Sequence, residues 1–209
     1  MIEDAELRHL MAEIAFSKTT AVLERLSATP SLARAALATG ATRRAADDSF
    51  LSSIRHHVYA GDTALHVAAA AHEPQINRKL ISLGAEVGAI NRRGATPLHY
   101  AADGIPGSAA WNPVRQSETI RLLIEAGANP NARDKSGVTP LHRAVRSRCA
   151  GAVSSLLESG AEPLITNKGG STPIMLAVQQ TGRSGSGSPE AKAQQAEIIS
   201  LFKNRAAAG

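Results

Sequence analysis

The chain has 209 residues, room for one domain or one short repeat array. Hydrophobic residues make up 43% and charged residues 20%, as in an ordinary folded protein, but aromatics reach only 3%, which argues against a large globular core and against a platform for stacking nucleic-acid bases. The formal charge of +5 favours acidic partners, and the lone Cys149 excludes an internal disulfide framework and fits a reducing compartment.

The chain opens Met1-Ile2-Glu3-Asp4-Ala5-Glu6, acidic where a secretory leader is basic and then apolar. No stretch has the apolar length of a membrane span, so a cytoplasmic protein without membrane contact is expected. Leu7, Leu10, Met11 and Ile14 share one helical face. Ala21 to Leu26, followed by Thr29-Pro30-Ser31-Leu32, reads as a second helix and its exit. Residues 3–28 are therefore expected to be a terminal helix pair with one side meeting water. Residues 32–58 hold an Ala-rich helix candidate, the polar stretch Thr42-Arg43-Arg44 and another helix candidate from Ser49. The expected division is a degenerate capping unit with a helical connection over 1–58, then repeats over 59–205.

From residue 59 the chain resembles itself. Thr63-Ala64-Leu65-His66 returns as Thr96-Pro97-Leu98-His99, Thr139-Pro140-Leu141-His142 and Thr172-Pro173-Ile174-Met175, at spacings of 33, 43 and 33 residues. Leu80-Ile81-Ser82-Leu83-Gly84-Ala85 returns in step, with its glycine again at 127 and 160. Two motifs sharing one register and one ten-residue insertion make a period near 33 secure. Thr is a good N-cap, and Pro in the first helical turn sacrifices only an N–H that has no partner there. Gly after the Leu-rich segment takes the left-handed conformation that ends a helix. Each unit therefore reads as inner helix, turn, outer helix and a loop back, and stacking buries the face that one unit cannot bury alone.

The second unit carries its insertion over about 103–117, with Gly104, Pro106, Gly107, Pro113 and the sole tryptophan, Trp111. A Gly/Ser-rich loop covers 181–188, and Ser188-Pro189-Glu190 then opens a last helix with Ile198, Ile199, Leu201 and Phe202 on its apolar face. Both insertions fall between inner and outer helix, and insertions in repeat arrays often serve binding.

These residues resemble the ankyrin-repeat family, strongly over Tyr59 to about Thr181. The resemblance implies an all-α solenoid of helix-turn-helix pairs with short β-hairpin fingers, acting as a non-catalytic protein-interaction scaffold with no cofactor. It also implies that His66, His99 and His142 hold adjacent turns by hydrogen bonds. His56, His57 and His72 lack the spacing of a zinc site. No G-x-S-x-G, Walker A or H-E-x-x-H pattern occurs, and Gly182 to Gly187 follows no predicted strand, so it reads as a linker. Arg146 and Arg148 stand near Cys149 and would lower its pKa, although an idle buried thiol is the expectation.

The family's contact-rich positions are the finger residues around each turn glycine and the residues late in the inner helix. Here they include Tyr59, Asp62 and Ala71 in the first unit; Arg92, Arg93, Ala95 and Asp103 in the second; Lys135, Val138 and Arg146 in the third; and Lys168 and Gln179 in the fourth. With Arg143, the basic ones would form a face for a partner protein with an acidic surface; a merely solvated face would carry the same charge. A nucleic acid on that face is the alternative ligand. Trp111 reads either as an anchor on a partner or as a pin packing the insertion back on the array. The first unit has Val58 where the others have Asn91, Asp134 and Asn167, so its finger is expected to be poorly formed.

Overall fold

The computed structural model describes residues 4–42, 49–109, 111–178 and 188–207. Among these the order is α1 (Asp4–Ala15), α2 (Thr19–Ala28), a 3₁₀ turn (Pro30–Arg34), β1 (Phe50–Leu51), β2 (His56–His57), α3 (Ala64–Ala70), α4 (Pro74–Ser82), α5 (Pro97–Ala101), α6 (Pro113–Glu125), α7 (Pro140–Arg146), α8 (Ala150–Glu158), α9 (Pro173–Val178) and α10 (Pro189–Ala207). The odd-numbered helices α1 to α9 pack in sequence as an inner layer, and α2, α4, α6, α8 and α10 pack as an outer layer. Equivalent residues fill the space between layers: Leu65, Leu98 and Leu141 inside, Leu80, Leu123 and Leu156 outside, and Ala68, Ala101 and Ala144 where the helices come closest. The all-α repeat architecture is as expected.

The Thr-x-x-His motif joins each unit to the next. The Thr63, Thr96 and Thr139 N–H groups donate to Nδ1 of His66, His99 and His142 at 3.2, 3.1 and 3.2 Å. Nδ1 is then the acceptor, and Nε2–H donates to the carbonyls of Ala95, Val138 and Ser171, at 3.1, 3.0 and 3.0 Å, one unit onward. Burial lowers the pKa of all three rings, that of His99 to about 4. Met175 stands at the same position in the fourth unit, half-exposed.

Gly94, at φ 76°, ends its finger where a Cβ would lie 2.9 Å from the Lys135 backbone nitrogen. Gly170 has the same conformation, at φ 77°, with open space around it. In the turn between inner and outer helix, the left-handed residue is Ser17, His72 and Arg148 in three of the units. The 103–112 insertion replaces that turn in the second unit.

Residues 32–58 depart from expectation. The Ala-rich segment forms only the 3₁₀ turn and then runs antiparallel to residues 58–63. Ala36 bridges Thr63, Leu37 N–H donates to Asp62 O at 2.9 Å, and Ala41 N–H donates to Val58 O at 2.8 Å. The Asp4 carboxylate fixes this stretch by accepting the Ala38 and Thr39 N–H groups at 2.9 and 3.0 Å. The segment from Ser49 is an antiparallel hairpin, with Phe50 opposite His57 and Leu51 opposite His56, and not a helix. A short apolar run suits either state, and the tertiary pairing decides. The first finger differs from the others: where they close by bonds such as Asn91 N–H to Ala95 O and Gly94 N–H to Asn91 O, here Val58 N–H donates to Ser49 O, Gly61 N–H to Leu37 O, and Tyr59 N–H to the Asp62 carboxylate at 2.7 Å.

Two outcomes follow. Replacing Gly94 with Ala should cost about 3 kcal/mol, left-handed strain plus a backbone clash, whereas Gly170→Ala should cost about 1 kcal/mol. Equal losses in urea melts would exclude the clash. Because the folded pKa of His99 is about 4 against 6.5 in the unfolded chain, its stabilising share is complete above 6.5 and drains away as pH falls towards 4. That loss is about 3 kcal/mol for this ring. Urea midpoints should drop across this window, and less steeply for His99→Gln; a flat profile would contradict neutral buried rings.

Candidate functional site

Backbone hydrogen bonds tie the fingers into a row. Arg92 N–H donates to Ala60 O at 2.7 Å, Lys135 N–H to Arg93 O at 2.9 Å, and Lys168 N–H to Ser136 O at 2.9 Å. The basic side chains are thereby held at regular steps, but they are not equally free. Arg92 donates to Ala41 O at 2.6 Å, and Arg93 donates to the Tyr59 hydroxyl at 3.0 Å with its guanidinium 5.2 Å from that ring's centre. Arg133 reaches the Thr166 carbonyl of the following finger. Lys135, Arg146 and Lys168 are exposed with no side-chain partner among the described residues. Gln179 lies outside the described residues.

Arg143 does not belong to this free set. It is 9% exposed, donates to Asp103 Oδ2 at 2.9 Å, lies 3.7 Å from Asp134 Oδ2 and covers the Tyr100 ring. Its charge is spent inside the chain, and the expectation of an accessible cation there is corrected. Asp103 is equally engaged, by Arg143, by His56 Nε2 at 3.5 Å and by the Ser147 hydroxyl at 3.4 Å. Burial alone would raise its carboxyl, but the His56 bond and the Arg143 charge outweigh that and hold it down at about 2. Asp62, Ala95 and Val138, also expected as contact positions, are buried.

Tyr100 organises this region. Its hydroxyl donates to Asp62 Oδ2 at 2.8 Å, and Asn91 Nδ2 donates both to that hydroxyl and to Asp62 Oδ1. The His56 ring stacks on it at 4.2 Å. The other His56 nitrogen, Nδ1, meets His57 O at 3.2 Å, so both ring nitrogens are occupied and the side chain acts as a strut. The β1–β2 hairpin thereby lies over the C-terminal ends of α3 and α5.

Beside it, the 103–112 insertion is pinned by one buried amide. Gln116 accepts Trp111 Nε1–H at 2.8 Å and donates to Ala101 O and Asp103 O at 3.0 and 3.2 Å. A Cβ on Gly104 would lie 2.7 Å from Cys149 Sγ and 2.9 Å from Trp111 Nε1, so only glycine fits there. Burial pushes the Cys149 thiol up to about 12, and neighbouring arginines do not activate it. Hairpin, insertion and the α1–α2 turn surround a cavity of about 520 Å³ that Trp111 lines. No cluster of three or more His, Cys, Asp or Glu suited to a metal occurs among the described residues, and none of their helices is long and apolar enough to cross a membrane.

The sequence marks Asp62 as a contact position and His56 as a histidine without zinc spacing, whereas the structure makes both struts of this region; Tyr100 and Gln116 carry no sequence signal and become meaningful only once the hairpin and insertion meet. Residues 108–186 match the family model for ankyrin repeats, which spans three copies. No curated protein matches the chain. The matched residues carry the helix pairs, fingers and a Thr-x-x-His bridge described above, so 108–186 are ankyrin repeats within a helix-turn-helix solenoid. Ankyrin repeats are in general protein-interaction modules.

Replacing Gln116 with Leu keeps the volume but strips the Trp111 N–H and two carbonyls of their partner. A stability loss of about 2–3 kcal/mol is expected, with altered emission from the sole tryptophan. Unchanged stability and emission would mean the amide does not hold the insertion.

Proposed function

We propose that the protein is a non-catalytic recognition module that binds the acidic surface of a partner protein through its fingers and the third and fourth inner helices. The observation supporting this most directly is the row of exposed basic side chains fixed at regular steps by the finger ladder. Lys135, Arg146 and Lys168 keep their charge unneutralised among the described residues, while Arg143 is internally paired. A rigid row of this kind steers an acidic surface and fixes its register at little ordering cost. The inner helices of the first two units take less part, because the chain's own hairpin lies over their ends.

The double variant Lys135→Glu with Lys168→Glu should weaken partner capture about tenfold or more while leaving helical content and melting unchanged, since both residues are exposed. The check is a crosslinking pull-down from the native organism's lysate, with and without nuclease. A specific protein retained after nuclease and lost in the variant supports the reading. Capture that vanishes with nuclease would replace protein by nucleic acid as the ligand, and protein capture indifferent to the variant would remove the basic fingers from the interface.

A further inference from the structure

The cavity beside the Trp111 loop sets two segments that the repeat does not supply, the hairpin and the insertion, against the ends of three inner helices. Its walls are the α1–α2 turn (Ala15 to Ser17), the hairpin (Ser52 to His56) and the insertion (Asp103 to Trp111), closing over Ala70, Ala71 and His72 at the end of α3. At about 520 Å³ it lies in the ~300–1,000 Å³ range of sites that bury small ligands or side chains.

Its lining is selective. The chain has six aromatic side chains, and three of them, Phe16, Tyr100 and Trp111, line this one cavity. Phe16 is 61% and Ile105 40% exposed, so large apolar surface faces the opening with no described residue over it. Trp111 cannot turn away, because its ring N–H is bound to Gln116. The charges nearby are asymmetric. Asp103 is consumed by His56 and Arg143, and His72 Nε2 is held at the Ala101 carbonyl. Arg55, on the hairpin in a left-handed conformation at φ 50°, is exposed with no partner among the described residues. The lining thus offers an apolar face at Phe16, Ile105 and Trp111, hydroxyls at Ser52, Ser53 and Ser108, and one unspent positive charge at Arg55.

We propose that this cavity is an anchor pocket for a peptide segment of the partner, taking one aromatic or large aliphatic side chain against Phe16, Trp111 and Ile105 and a neighbouring carboxylate at Arg55. It rests on the reading of the protein as a recognition module, and it adds a specificity element separate from the basic fingers. An acidic partner segment suits both, since charge draws it in and the apolar residue sets its position.

Trp111 is the sole tryptophan, so its emission reports directly on the pocket. The first probe is 3-phenylpropionate, with 3-phenylpropionamide as the neutral control. A saturable emission change is expected with the acid. It should be abolished in Ala71→Phe, which fills the cavity, and in Ile105→Glu, a rim change at an exposed position that leaves the fold intact. In Arg55→Ala the acid should bind about threefold or more weakly, falling to the level of the amide. No saturable change in the wild type, or one untouched by these variants, would overturn the pocket. The second probe is a displayed library of random twelve-residue peptides selected on the wild-type protein. Selected peptides should pair an aromatic or large aliphatic residue with Asp or Glu and lose about tenfold or more in Ile105→Glu. Peptides that are insensitive to Ile105→Glu but lost in Lys135→Glu with Lys168→Glu would overturn the pocket while leaving the finger reading intact.

Discussion

The array depends on a hydrogen bond that no unit can complete alone. Each buried histidine is fixed on its own threonine and reaches a carbonyl that only the next unit supplies. A neighbour that stacked without offering that carbonyl would leave the ring nitrogen buried and unpaired, at a cost of about 1–3 kcal/mol. The motif is therefore a statement about stacking as much as about the helix it opens. The fourth unit accords with this: Met175 stands at the histidine position, half-exposed. The finger ladder repeats the logic on the backbone, where Gly94 lets Lys135 approach to a distance that any side chain would forbid.

This dependence explains what the sequence revealed and what it withheld. The helix pairs were legible from residue 59 onward because Thr, His and Gly must recur in register for the bridges to form. The stretch 32–58 carries no such requirement. An alanine-rich run and a short apolar run each suit more than one state, and pairing with the 58–63 strand, fixed from afar by Asp4, settled the matter. The finger at Tyr59 follows the same rule. Without a polar residue at 58 it lacks the bonds that Asn91, Asp134 and Asn167 accept in the other fingers, and Leu37 O and the Asp62 carboxylate take the Gly61 and Tyr59 N–H groups instead.

Charge was legible only as a total. Arg143 and Lys135 look alike in sequence, yet one faces Asp103 and Asp134 in a nearly dry setting and the other faces water. The difference arises from position: Asp103 follows directly on α5 and Asp134 opens the third finger, and both lie within reach of Arg143 on α7. A buried arginine without a carboxylate would destabilise the array by several kcal/mol, so the charges of Asp103 and Asp134 are committed to Arg143. The basic residues that remain usable, Lys135, Arg146 and Lys168, are exposed with no side-chain partner among the described residues.

The same reasoning separates the two kinds of surface on this molecule. The finger row offers the same backbone geometry at every step and varies only in its side chains. A second kind of asymmetry comes from segments outside the period, and two of them, the hairpin and the insertion, converge on the ends of α1, α3 and α5. Their convergence requires a satisfied polar framework, since a partly paired network in a buried setting costs more than an apolar one. Gln116, Asp103, His56 and Tyr100 supply that framework, each bonded on more than one side or stacked. A hairpin and an insertion anchored this way hold one shape, and a fixed opening lined by Phe16, Trp111 and Arg55 can select by size and charge where the finger row selects by charge alone.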